Sequence, residues 1–212
     1  MRIFYDTEFI EDGRTIDLIS IGMVAEDGRE YYAVSSEFDF RKLAASPWLR
    51  ENVWRGLPKL HGDARMYALA SPRLPEWLLK RSKRLRNRAD ARTFRSIFDW
   101  NNPVVKPRAQ IAAEVHRFIA PTLIFYEPGA ELWADYGAYD HVALAQLFGP
   151  MINLAPGIPM WTNDLRQEIA RLGVTDAELP QQTVGQHNAL EDARHDRAIA
   201  LFLDDYARAG AA

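Results

Sequence analysis

The stretch DLISIGMVAEDGREYYAVS, residues 17–35, restricts the fold most sharply. Two runs rich in Leu, Ile, Val and Tyr flank an Asp-Gly pair, the residues that accept the positive-φ corner of a tight hairpin. Residues 1–10 alternate ahead of it. Arg2, Phe4, Asp6, Glu8 and Ile10 share one strand face, and Ile3, Tyr5, Thr7 and Phe9 share the other. Three strand-type segments with such short connections predict an antiparallel meander.

Beyond the meander the pattern changes. From about residue 39 to 102 the chain reads as helical and irregular, punctuated by prolines at 47, 58, 72 and 75. Helical periodicity is expected over Gln110 to Ile119, Tyr139 to Phe148, Asp164 to Leu172 and Ala189 to about Ala207. Leu132 to Ala134 reads as a short strand, and Met160-Trp161 as an extended piece. A meander followed by alternating helix and strand is an α/β pattern with a mixed β-sheet flanked by helices. With 212 residues and no linker or repeat, one domain spanning 1–212 is expected, with a basic helical insertion at about 72–100.

Composition narrows the chemistry. The chain has no cysteine, which excludes disulfides and thiolate metal sites. Its apolar runs, such as Leu18 to Ala25, are too short to span a bilayer. Arg2, Asp6 and Glu8 at the start are unlike a signal or transit peptide, so a cytoplasmic protein is expected, with no membrane partner. Net charge is −3, but Lys80 to Arg95 holds eight basic residues and one acid, a local charge of +7 against −10 elsewhere. Such polarity suits a protein that grips a polyanion on one surface and holds cations at another; a solvated helix face or a partner-docking arm is the alternative.

Several carboxylates fall where apolar residues belong. On the last helix, counted at about 100° per residue from Asp192, Asp196 lies near 40°, Ile199 near −20° and Leu203 near 20°. Asp192 therefore shares the apolar stripe, while Asn188 and Glu191 form a capping-box-like start. Asp140 lies near Ala143, Leu144 and Leu147 on its helix, in a first turn that also favours an anion. Asp135, at the end of a strand, is its rival. Asp6 and Glu8 project together from one strand face between Phe4 and Ile10. Ionised groups on buried faces need positive partners. An arginine would serve for one of them; for the set, hard divalent cations with oxygen ligands fit, Mg²⁺ or Mn²⁺. Two such ions form a clamp for in-line attack on a phosphodiester. His187, five residues before Asp192, is the candidate proton acceptor for metal-bound water.

Asp6-Thr7-Glu8, then Tyr139-Asp140, then His187 with Asp192 five residues on, resemble in order the three motifs of the histidine subclass of DEDD 3′–5′ exonucleases. That family includes RNase T and oligoribonuclease; in length and motif wording the chain is similar to the actinobacterial polyadenylate-specific 3′-exoribonucleases within it. The resemblance implies an RNase H-like fold and hydrolysis of single-stranded RNA 3′ ends. It further implies two Mg²⁺ (or Mn²⁺) ions held by Asp6, Glu8, Asp140 and Asp192, with His187 as general base. The second motif departs from the family pattern, since no Asn precedes Tyr139-Asp140, and this keeps Asp135 in play. Thr7, Phe9 and Tyr136 are expected to contact substrate, the aromatics by stacking. Relatives of the RNase T type are dimers, which implies a homodimer. The alternatives are a DNA 3′–5′ exonuclease, a non-catalytic RNA-binding module and a structural Ca²⁺ domain. The last lacks a glycine-punctuated acidic loop.

Overall fold

The computed structural model describes residues 1–60, 83–120 and 129–210, with the side chains of 83–89 left aside. The expected meander is there: β1 (Arg2–Glu11), β2 (Ile16–Ala25) and β3 (Glu30–Ser35), antiparallel in sequence. The β2–β3 turn is the Asp-Gly corner, with Gly28 at φ 90°. Three further strands, β4 (Val105–Lys106), β5 (Glu131–Ala134) and β6 (Asn163–Asp164), complete a mixed sheet in the order β4-β3-β2-β1-β5-β6. β5 runs parallel to β1, and β6 parallel to β5. This is the α/β, RNase H-like arrangement.

Helices cover both faces. α1 (Phe40–Ala45), α2 (Pro47–Glu51) and α3 (Val53–Gly56) follow the meander, then α4 (Lys83–Ile97), α5 (Arg108–Ile119), α6 (Ala138–Gln146), α7 (Leu165–Leu172) and α8 (Ala189–Gly210). Alternation along β1 splits the core. Ile3 and Tyr5 pack with Ile111, Val115 and Leu144, whereas Phe4 points to Leu165, Ile199 and Leu203. A third cluster joins α1 and α4 through Phe38, Phe40, Trp54 and Phe98. Phe38 and Phe40 are 4.4 Å apart by ring centroids, and Phe40 meets Phe98 edge-on at 5.5 Å. Ring pairs of this kind add about 0.5–1.5 kcal/mol each beyond area burial, so α4 is anchored firmly to α1.

The element ends differ modestly from expectation. The extended piece placed at Met160-Trp161 forms three residues later, where Asn163 and Asp164 pair with Trp133 and Ala134. Asp164 then caps α7 by accepting from the Arg166 N–H at 2.8 Å. α8 begins as expected, with Asn188 Oδ1 accepting from the N–H groups of Leu190 and Glu191. Glu191 does not complete a capping box; its carboxylate pairs with Arg194 at 2.6 Å. Of the basic insertion, 72–82 lie outside the described residues, and 83–97 form α4. No described helix is long and apolar enough to cross a membrane.

Candidate active site

The site forms where β1 outruns its parallel neighbour. The pairing of β1 with β5 stops at Phe4 opposite Trp133. Past that point the edge of β1 has no strand partner among the described residues, and a buried N–H must find another acceptor. Asp140, in the first turn of α6, supplies it. Its Oδ1 accepts from the Thr7 N–H at 2.9 Å and from the Thr7 hydroxyl at 2.6 Å. These bonds place Asp140 beside Asp6. Thr7, expected among the substrate contacts, is buried, with its N–H and hydroxyl both committed to Asp140.

Asp192 arrives from the opposite face. Asp6 pairs with Gly22 across β1–β2, and the backbone of Ala189 and Leu190 sits directly over Gly22. Any side chain there would hold α8 away; glycine lets its first turn settle on the sheet beside Asp6. Glu8 lies next to a β-bulge, the register shifting between Glu8 and Phe9 so that Ile19 goes unpaired. Bulges bend and twist a strand locally and re-aim its side chains. Ligating atoms of Glu8, His187 and Asp192 all come within 4.8 Å of one another.

The electrostatics follow from this crowding. Burial first, then the charges of Asp140, Glu8, Asp192 and Asp196, push the Asp6 carboxyl well above its usual range. Burial, then Asp192 and Asp140, raise Glu8 to about 8. Burial raises Asp140 to about 6 despite its bonds from Thr7. Asp192 is pushed up by burial and partly relieved by the Gln182 side chain, which donates to its Oδ1 at 2.7 Å. Among the described residues, no Lys or Arg forms an ion pair with any of the four. Mutually repelling carboxylates that lack a cationic partner are an oxygen-rich donor set fit for a divalent ion.

The rival carboxylate is already engaged. Arg166 clasps Asp135 through both oxygens, at 2.6 and 2.7 Å. A bidentate guanidinium pair of this geometry neutralises the group. Asp196, one turn after Asp192, is the more deeply buried of the two at 5% exposure, and it accepts from the Asp135 N–H at 3.2 Å. Asp192 itself is half-buried at the rim, not in the core as the apolar stripe suggested.

Aromatic residues surround the acids. Phe9 stacks on Tyr139 at 6.1 Å and 15°, and Tyr136 is 67% exposed, with Arg166 over its ring at 4.8 Å. Trp48, which no local sequence feature singles out, meets the His187 ring edge-on at 4.8 Å while 51% exposed. Tyr136 (φ 52°) and His187 (φ 62°) are the described non-glycine residues with positive φ. Such strain concentrates at functional sites, and both residues lie here.

The family comparison puts this mixed α/β sheet, with Asp6 and Glu8 on β1, in the 3′–5′ exonuclease class. The family described as the 3′-5′ exoribonuclease Rv2179c-like domain matches residues 1–203, and the chain belongs to it. Two relatives from Mycobacterium tuberculosis are each 42% identical over 194 residues, covering 92% of this chain and 88% of theirs. They are 3′-5′ exoribonuclease Rv2179c of strain ATCC 25618 / H37Rv and 3′-5′ exoribonuclease MT2234.1 of strain CDC 1551 / Oshkosh.

The raised carboxyl values give a testable pH dependence. Unfolded, these groups ionise near their ordinary values of 3.8 and 4.5; folded and metal-free, Asp140 holds its proton to about 6 and Glu8 to about 8. The folded state thus binds more protons across that window, and stability falls as pH rises through it. The melting temperature of chelator-treated protein should decline from about pH 4 to about pH 8. Added Mn²⁺ should restore most at the upper end. A flat profile with no response to Mn²⁺ would show that something else neutralises the cluster.

Proposed function

We propose that this 3′–5′ exoribonuclease is metal-dependent and releases nucleoside 5′-monophosphates from single-stranded RNA or RNA 3′ overhangs, using a single exonuclease domain in a cytoplasmic setting. The observation that supports this most strongly is the convergence of Asp6, Glu8, Asp140 and Asp192 without a basic partner among the described residues. Two divalent ions, Mg²⁺ or Mn²⁺, held by these four residues would supply Lewis-acid activation of water and neutralise charge at the leaving oxygen.

The chain's own residues do the rest. Thr7 fixes Asp140, and Gln182 orients Asp192. His187, beside Glu8 and Asp192, accepts the proton as a water oxygen attacks phosphorus and the 3′ oxygen departs. Its positive φ and the Trp48 edge set the direction of the ring. Phe9 and Tyr136 offer faces for terminal bases, a sequence-tolerant contact.

His187→Ala should reduce turnover of end-labelled RNA by about 10²–10⁴-fold, the range for a positioned acid–base group. The alkaline-rising limb of its pH–rate profile should flatten. The same assay on matched DNA, with and without Mg²⁺ or Mn²⁺, tests substrate class and metal dependence together. Equal cleavage of both acids in chelator would end the reading.

We also propose a homodimer. Met151, Ile152, Met160 and Trp161 are large apolar side chains left in solvent, Ile152 at 90%. Sedimentation that returns the mass of one chain at micromolar concentration removes this part.

A further inference from the structure

Two grooves lie on either side of α1. One, of about 480 Å³, opens at Phe9, next to Glu8, and runs between Trp48 and the Lys42–Asp12 ion pair. The other, of about 570 Å³, lies between α1 and α4 and is rimmed by Arg41, Arg92 and Arg95 over Phe38 and Phe40. Neighbours in sequence, Arg41 and Lys42 each line a different groove, so the two adjoin across the width of one helix.

The second groove carries cations that no described acid pairs with. Arg92 and Arg95 are exposed, and among the described residues neither has an acidic partner. The Arg95 guanidinium is held in place by aromatic rings instead, 5.1 Å from the centre of Trp100 and 6.0 Å from that of Phe40. The two acids of the groove have structural duties. Glu37 accepts from the Arg108 N–H at 3.1 Å, and Asp39 caps α1 by accepting from the Arg41 N–H at 2.8 Å. A guanidinium positioned by stacking, with its N–H groups unspent, is prepared for phosphate.

We propose that the α1–α4 groove binds the phosphodiester backbone of the RNA chain upstream of the cleaved end, reached from the catalytic carboxylates through the Phe9–Trp48 groove. The proposal rests on the exoribonuclease reading and adds to it. Substrate is gripped at two places, and the grip grows with length until the chain passes around α1. Crossing one helix, about 10–12 Å wide, puts the arginines several nucleotides from the scissile bond. A dinucleotide cannot reach them.

Binding to metal-free protein isolates this contact, because the bare carboxylates repel phosphate. In fluorescence anisotropy with a labelled single-stranded RNA of about ten nucleotides, the double variant Arg92→Ala/Arg95→Ala should bind about tenfold more weakly near physiological salt. The slope of log affinity against log salt should fall by about 1.4, or 0.7 for each lost phosphate contact. Dinucleotide hydrolysis by the metal-loaded variant should match that of wild type. Arg92→Ala alone, at a side chain that packs on no described ring, should show about half of the slope change, which covers the case in which loss of Arg95 unsettles α4. Equal affinity and equal salt slope in wild type and both variants would overturn the proposal, as would a matching loss on the dinucleotide. Arginine-dependent binding without any cleavage by wild type would leave the groove assigned and remove the exoribonuclease reading instead.

Discussion

Asp6→Asn and Glu8→Gln should each abolish metal-dependent hydrolysis of RNA and, at the same time, raise the melting temperature of the metal-free protein at pH 8. The two effects share one cause. Asp6 is driven up by burial and by four neighbouring carboxylates, and Glu8 to about 8 by burial, Asp192 and Asp140. In the absence of a cation, each of these charges costs the folded state energy; an isosteric amide removes the charge and keeps the shape. Residues retained at such a cost to stability are the signature of a functional cluster. Purely structural carboxylates behave in the opposite way. Asp135→Asn would break the bidentate pair with Arg166 and should lower stability by about 1 kcal/mol, the scale of a partly exposed ion pair. RNA hydrolysis should survive it. Calorimetry and an end-labelled RNA assay on the three variants decide the matter. If Asp135→Asn is inactive and Asp6→Asn is active, the assignment of the ligand set is wrong.

The sequence showed the parts of this site that depend on local rules and hid those that depend on how elements meet. Strand alternation placed Phe4, Asp6 and Glu8 on one face, and Asn188 marked the start of α8, because both are set by neighbouring residues. A helical wheel ranked Asp192 with the apolar stripe, but a wheel contains no information on where the helix crosses the sheet. α8 begins over Gly22, so its first turn opens into the site and its second lies beneath, which leaves Asp192 half-buried at the rim and buries Asp196. The i+4 spacing of the two was visible; which would be deeper was not. Asp135 is a rival to Asp140 by sequence alone, because the Arg166 that holds it lies 31 positions away. Nothing local in the sequence reveals that β5 ends early and leaves the Thr7 N–H for Asp140. Trp48 gave no signal at all, since its partner His187 comes from the far end of the chain.

Gly22→Ala should be the most damaging conservative change outside the acids. A Cβ at this position would clash with the carbonyl carbon and oxygen of Ala189 and with the N of Leu190. Those are backbone atoms of a 22-residue helix, not the tip of a side chain that can swing away. Relief requires α8 to lift from the sheet, with a stability cost of about 1–3 kcal/mol or more for overpacking of this kind. The functional loss should be larger than the stability loss implies. Lifting the first turn moves Asp192 away from Asp6 and Glu8, and a displacement of about 1 Å at a reacting centre can cost 10²-fold in rate. Gly28→Ala is the control. Gly28 also sits in a β2 connection, at φ 90°, but a Cβ there meets nothing within 4 Å. Its penalty is backbone strain alone, about 1–3 kcal/mol, at a turn remote from the acids. Gly28→Ala should therefore match Gly22→Ala in melting temperature to within a few degrees while keeping its hydrolytic rate and its Mn²⁺ affinity. If Gly22→Ala also retains both, the approach of α8 to the sheet does not set the geometry of the site, and the close contact at Gly22 is packing alone.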